Sequence, residues 1–566
     1  MGERRTDADA GASGLPRRFG RNALSNYALA GVLMAVALVT TPILTRHLGP
    51  QRYGIWVFVG SAVAYVQLLD LGFGGAVVAA VARLSGAGDH DRLERTLSSA
   101  FVLLVGLGLV ALAVAGVAAA FLPAAMHLSP ELAGTTRVLL LLLGVDMALS
   151  IPLDTFGCGL VALQRFDLLN ATLIGVAAGQ AVAWTLVLLA GGGLLQLGIV
   201  TVAISLVGQA MRFVLLRRLL PGLAISAANV DRALVRSLAS PAGWFALGDS
   251  IEGFRDYASV LVLGLVRNVA VAGIFAVGEK LATLGTKLGT PMTDPFFPHA
   301  SELVGRGDDA ELGRAARTGG QLTAGVTIPF CLVVAILARP ALLAWVGAAY
   351  ERAAAAVVIL AVAFGLRSLG TAPARVLSGA GGQRMLALVG VAEVATQIVL
   401  TAVLGVAFGI TGVAVAVLIA VVSLELVVRL PLVGRRLHTP VAQLVWPVVR
   451  AHLPALAVAG AAGWFWARDP AIRFVAAHGR LAGMGVVAVA GVAMLLLYAV
   501  TFAFTGLDGA TRRQVALRLR GMRTRAGAAK TGTPMAIGRP DTDEQPEATR
   551  AVGPHVVVET AAERGV

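Results

Sequence analysis

Residues 97–121 read LSSAFVLLVGLGLVALAVAGVAAAF, a run with no charged side chain. A helix rises ~1.5 Å per residue, so about twenty apolar residues cross the ~30 Å hydrocarbon layer of a bilayer. Inside lipid the backbone must satisfy its own N–H and C=O groups, and a helix does this within one segment. Comparable runs recur along the chain, separated by short basic or Gly/Pro breaks. Fourteen spans are expected, at roughly 24–45, 54–82, 97–121, 136–162, 170–190, 194–216, 241–266, 269–298, 318–338, 354–374, 385–405, 409–430, 447–466 and 481–504.

The whole-chain figures agree with that run. Of 566 residues 57% are hydrophobic and only 14% charged, with a mean hydropathy of +0.80. A soluble domain carries about 25% charge. A soluble enzyme, a nucleic-acid binder and a secreted disulfide scaffold are therefore excluded, and the chain reads as an all-α polytopic membrane protein. The net charge of +14 then speaks to topology, because Arg and Lys collect on the cytoplasmic side of spans. With the N-terminus inside, the inner loops and the two terminal segments hold about three arginines for each one in the outer loops. An even number of spans with both termini cytoplasmic is expected, in a bacterial cytoplasmic membrane.

The organisation read from these breaks is a basic arm (1–23), a first lobe of six spans (24–220), a linker (221–240), a second lobe (241–430), two extra spans (431–505) and a cytoplasmic tail (506–566). The tail opens on TRRQVALRLRGMRTR (511–525), where Val515, Leu519 and Met522 suit a basic helix on an anionic leaflet. From Ala526 its Gly, Pro, Thr and acidic residues are expected to be disordered. Cys158 and Cys331 lie in apolar segments and read as inert. No GxxxxGK[ST] loop, HExxH or Cys/His cluster occurs, so neither cofactor nor metal is expected. No loop has room for a catalytic domain. Transport rather than catalysis follows, driven by an ion gradient, a carrier gradient or a partner.

Ionisable residues within spans are costly and point to a cavity or a relay. The eighth span holds Lys280, Thr283, Lys287, Thr290 and Asp294, which share one face of a regular helix. The chain has only one other lysine, Lys530. The seventh span carries Asp249, Glu252, Arg255 and Asp256 in GDSIEGFRDY. Asp256 and Glu252 are expected at the depth of Lys280, either locking the two spans by ion pairs or lining a hydrated cavity. Asp70 and Arg367 are further intramembrane charges. Asp146 and Asp154 flank Pro152 in the fourth span, where a carboxylate suits a cation or proton. Glu393 and Glu425 are single acids that suit pairing between helices.

Three segments carry a resemblance. TPILTRHLGPQRYGIWVFVGSAVAYVQLLDLGFGGAVVAAVAR (41–83) holds an R-x-L-G-P-x-x-Y-G turn from Arg46 to Gly54, followed by D-L-G-F from Asp70 to Phe73. With RVLSGAGGQRM (375–385) and FGITGVAVAVLIA (408–420), it resembles the bacterial polysaccharide-biosynthesis flippases. Their exporter superfamily also includes MATE drug exporters and peptidoglycan-precursor flippases. The resemblance implies a MATE-like fold: two pseudo-symmetric six-helix lobes, two C-terminal helices, and a central cavity lined by spans 1, 2, 7 and 8. It implies flipping of undecaprenyl-diphosphate-linked oligosaccharide repeat units by alternating access, among membrane lipids and with a polymerase and glycosyltransferases as partners. Lys280, Lys287 and Arg255 would then hold the diphosphate, with Thr283, Thr290 and Arg367 also in contact with substrate. Asp249, Glu252, Asp256 and Asp70 would gate or couple an ion. The competing readings are an ion-coupled drug exporter and a peptidoglycan-precursor flippase.

Overall fold

A computed structural model describes residues 6–67, 77–78, 80–81, 84, 89–126, 128–221, 229–231 and 243–505. Within these, the side chains of 6–24, 26–27, 67, 90, 243–250, 252 and 290 are outside the description. So are Asp70, the expected linker for most of its length and the whole expected tail. The described chain is helical from end to end.

In order, the first lobe holds α1 (Thr6–Gln67), α2 (His90–Ala125), α3 (Pro130–Leu153), α4 (Thr155–Ala162), α5 (Phe166–Leu189) and α6 (Leu194–Leu219). The second holds α7 (Gly243–Val266), α8 (Val269–Ala282), α9 (Leu284–Gly289), α10 (Phe296–Arg306), α11 (Asp309–Trp345), α12 (Ala354–Gly379) and α13 (Gln383–Ala420). A π-helix (Val421–Arg429) leads into α14 (Leu430–Arg436), and α15 (Val441–Ala462) and α16 (Asp469–Thr505) close the chain. Among the described residues ten helical stretches are long and apolar enough to cross a membrane, against the fourteen read from the sequence. The difference has two physical sources. Three stretches run on through a glycine with positive φ, namely Gly49 at 70°, Gly409 at 58° and Gly479 at 80°. Each of these glycines reverses the chain between or beside two expected spans, as only glycine does without strain. Furthermore, α7 carries four charges, Asp249, Glu252, Arg255 and Asp256, so it is not among the apolar stretches.

The eighth span is not the regular helix that a shared polar face assumes. It breaks at Thr283, resumes for six residues in α9, tightens into a 3₁₀ turn at Thr290–Thr293 and restarts at Phe296. Pro291 and Pro295 remove backbone donors at the 3₁₀ turn and the restart that follows it, whereas the break at Thr283 precedes every proline of the span.

Small residues let helices approach closely, the usual basis of packing in lipid. A Cβ on Gly108 would lie 2.4 Å from the Ala148 carbonyl oxygen, and one on Gly144 would lie 2.4 Å from the Ala115 Cβ, so α2 and α3 meet in reciprocal notches. The main apolar core gathers at one end of the bundle, beside the turns at Gly49, Asn268 and Gly347. There Tyr53 and Phe58 of α1 meet Leu263, Val269, Phe275, Trp345 and Tyr350 of the second lobe. The two lobes are thus sealed together at this end, which the arginine count assigns to the outside.

Candidate functional site: a one-sided polar cavity

Below the seal, α7, α9, α11 and α12 turn polar residues toward each other. They enclose a cavity of about 420 Å³, and a second of about 210 Å³ shares its wall and reaches toward α1. Arg255, Asp256, Thr283, Lys287, Phe364 and Arg367 line both. The larger cavity continues past Asp294 to Arg375, Ser378 and Gln383, beside the turn at the end opposite the seal. Spans one and two contribute only Ala30, Val57 and Ser61 among the described residues. Among the described residues the cavity is lined mostly by the second lobe, where the resemblance implied an even share.

The cation pairs differ from those expected. Glu393 of α13, fully buried, receives Arg367 Nη2 at 2.7 Å and Arg255 Nη1 at 3.4 Å. Gln397, one turn further on, donates to the Arg255 carbonyl oxygen at 3.2 Å and to Ser259 Oγ at 3.0 Å, fixing α7 against α13. One carboxylate thus serves two guanidiniums. In the π-helix Arg429 Nη1 donates to buried Glu425 at 2.6 Å. π-Turns inside helices are frequently found at functional sites.

The lysines are placed otherwise. Lys280 Nζ donates to the Tyr53 hydroxyl of the first lobe at 3.2 Å and stands 5.7 Å from that ring's centroid. Tyr53 is fully buried and packs edge-on against Tyr350. Lys287 is exposed to the larger cavity. Among the described residues neither lysine forms an ion pair, so Asp256 faces the same space as Lys280 without bonding to it. Thr283 and Asp294 of the polar face also reach the cavity. The side chains of Asp249, Glu252 and Thr290, and all of Asp70, lie outside the described residues.

Arg375, Arg429 and Glu279 on the wall, and Tyr53, which accepts from Lys280, had no place in the expected site. Arg375 and Arg429 count toward topology in the sequence, yet both line the larger cavity. Only the Glu425–Arg429 spacing of four signals the latter. Glu279 borders the smaller cavity and is marked only by its neighbour Lys280, while Tyr53 is a fixed position of the quoted turn. On the larger cavity's wall Arg255, Lys287, Arg367, Arg375 and Arg429 face Asp256, Asp294 and Glu425. Chemically this is an anion-attracting chamber with internal counter-charges, and several threonine hydroxyls are available to polyols.

A multi-pass helical bundle of two lobes, joined at one end over an internal polar chamber, is a fold shared with solved transporters of the MOP superfamily. Solved structures agree on the fold. The chain is similar to an inward-facing multidrug resistance MATE family transporter of that superfamily, with TM-score 0.62 and 13% identity, covering 74% of this chain and 98% of that one. It is similar to the lipid II flippase MurJ in an inward closed conformation, with TM-score 0.55 and 13% identity over 84% and 97% of the two chains. A superfamily transporter from Pyrococcus furiosus, described as having a binding pocket of reverse polarity, matches with TM-score 0.55 and 14% identity over 75% and 96%. No curated protein matches by sequence. Residues 43–355 match the family described as Polysaccharide biosynthesis protein, and the chain belongs to that family.

Proposed function

We propose that this protein flips undecaprenyl-diphosphate-linked oligosaccharide repeat units across the bacterial cytoplasmic membrane by alternating access, as a transporter and not an enzyme. The observation that carries this reading is the chamber closed on one side, with Lys287 on its wall in no ion pair among the described residues and Arg255 and Arg367 converging on Glu393. With the arginine-rich side in the cytoplasm, as proposed, the chamber opens inward, where such a lipid is assembled. Lys287, Arg255 and Arg367 would take the diphosphate, whose geometry guanidinium forks match. Thr283 and Asp256 would meet the sugars, and the lipid tail would stay in the bilayer. A polymerase and glycosyltransferases would act on either side of this step. Family membership favours polysaccharide over drug export, and cations on the wall do not suit the cationic drugs of a MATE exporter.

The test is binding. Purified protein in nanodiscs is titrated with undecaprenyl diphosphate and followed by native mass spectrometry. Lys287→Gln removes one exposed cation and should weaken binding about tenfold or more, at the lower end of what a charge-assisted hydrogen bond contributes. In cells the same variant should accumulate carrier-linked sugar. Unchanged affinity, or equal binding of a lipid without the diphosphate, would sink the assignment. A preference for the peptidoglycan precursor would move it to the neighbouring class of flippases.

A further inference from the structure

Spans four and six of the first lobe share a polar seam that takes no part in the chamber. On α3, Asp146, Ser150 and Asp154 follow at four-residue steps, which places them on one helix face. On α6, Ser205, Gln209 and Arg212 follow at steps of four and three, which also places them on one face. The rungs are visible: the Ser150 and Ser205 hydroxyl oxygens lie 3.4 Å apart, Ser205 stands beside the Asp146 carboxyl, and Arg212 Nη1 donates to Asp154 Oδ1 at 2.7 Å. The two helices run in the same direction, so Gln209 falls between the Ser205 and Arg212 rungs.

Gln209 is 4% exposed, and neither its Oε1 nor Asp146 Oδ1 has a hydrogen-bond partner. Two acceptors in one seam therefore lack donors, whereas buried polar atoms nearly always have them. The surroundings supply no counter-charge among the described residues. From α2 and α1, Leu104, Leu107, Ala111, Val63 and Val66 pack around Met147 and Ile151 beside the seam. The short helix α4 carries no charged residue, and the α6 cation, Arg212, is held by Asp154 two turns away. Asp154 has 54% of its side chain exposed, so that end of the seam reaches the surface of the protein. A carboxylate so placed in a membrane needs a positive charge brought to it.

We infer that Asp146 is a proton-carrying site of the first lobe, loaded from the Asp154–Arg212 end through Gln209 and the Ser150–Ser205 pair. In the step a proton from water bonds to Asp146 Oδ1 and neutralises the carboxylate; release reverses it, and no electrons are exchanged. The inference deepens the flippase reading by naming its coupling ion, and it rests on that reading only for the coupling. An alkali cation would use the same oxygens, so the test separates the two.

Infrared titration of the purified protein in nanodiscs follows the C=O band of protonated carboxyls. Asp146→Asn, nearly isosteric, should lose one pH-dependent component, and Asp146→Glu should restore it. An identical band in the Asn variant overturns the site. A band set by sodium at fixed pH, and not by pH, overturns the proton and makes it a sodium site. In proteoliposomes an imposed pH gradient should accelerate flipping of a labelled carrier-linked sugar, and Asp146→Asn should abolish that acceleration. If the infrared component is present but no lipid is flipped by the wild type, the flippase reading fails and the proton site stands. If acceleration survives in Asp146→Asn, the coupling role fails.

Discussion

Replacing Tyr53 with phenylalanine isolates a single interaction across the seal between the lobes. The ring stays, and with it the edge contact to Tyr350 and the cation–π approach of Lys280. Only the hydroxyl that accepts from Lys280 Nζ at 3.2 Å is removed. Hydrogen bonds to a charged group contribute about 1.5–3 kcal/mol. Because Lys280 is exposed to the smaller cavity, water takes over part of the loss, and the lower end of about 1.5 kcal/mol applies. This bond exists only while the lobes are closed at this end, so its loss should shift the closed-to-open ratio by roughly tenfold. Gln51 and Ala349 sit exposed beside the seal on opposite lobes, and the two native cysteines are buried. Spin labels on Gln51→Cys and Ala349→Cys would report the ratio as a distance distribution. Tyr53→Phe should enlarge the long-distance population, and in a Lys280→Met background it should add nothing further. An unchanged distribution, or the same increment without Lys280, refutes the latch.

Two further outcomes follow from the geometry. Glu393→Gln leaves Arg255 and Arg367 without the carboxylate between them; breaking a buried pair in this way costs about 3–5 kcal/mol. Thermal unfolding in detergent should drop by several degrees, and adding Arg367→Gln should recover part of the loss. Gly54→Ala would set a Cβ 1.9 Å from the Val269 carbonyl oxygen, where Gly273 also approaches. The stretch of α1 just past the Gly49 turn and the start of α8 must then part, and thiol labelling at Gln51→Cys should rise several-fold. Gly60→Ala, with nothing within 4 Å of its Cβ, serves as the silent control.

The class of the fold was legible because lipid forces it: an uncharged run of twenty residues has few other destinations. The glycine reversals at 49, 409 and 479 were legible only as gaps between spans. Nothing in the sequence distinguishes a positive φ at Gly49 from the helical glycines nearby. Lys280 and Lys287 stood out because a charge in an apolar run is conspicuous. Their partners did not, since Tyr53 lies in another lobe and its meeting with Lys280 depends on how the lobes close. Glu393 was visible as a lone acid, but its sharing between Arg255 and Arg367 joins three helices that no local pattern connects. The polar face of the eighth span assumed a regular 100° step, which the break at Thr283 and the prolines after Pro291 prevent. Arg375 and Arg429 were absorbed into the topological count because position relative to span ends cannot tell a loop arginine from one turned inward.

The mixed charge of the chamber suits its proposed task better than a purely cationic one would. A transporter must release what it binds, so attraction has to be sufficient for entry and weak enough for exit. In the chamber the guanidiniums of Arg255 and Arg367 are already engaged with Glu393, and Arg429 with Glu425. A diphosphate entering from the open side would compete with these carboxylates for the same donors, and on leaving it would return them. The protein's own carboxylates thus stand in for the ligand in the empty state and spare the wall an unpaired buried charge. Lys287, outside these pairs, would make first contact. Lys280, whose hydroxyl partner closes the seal, lies where a bound anion could draw it away from Tyr53, so filling the chamber and loosening the far gate would be one event.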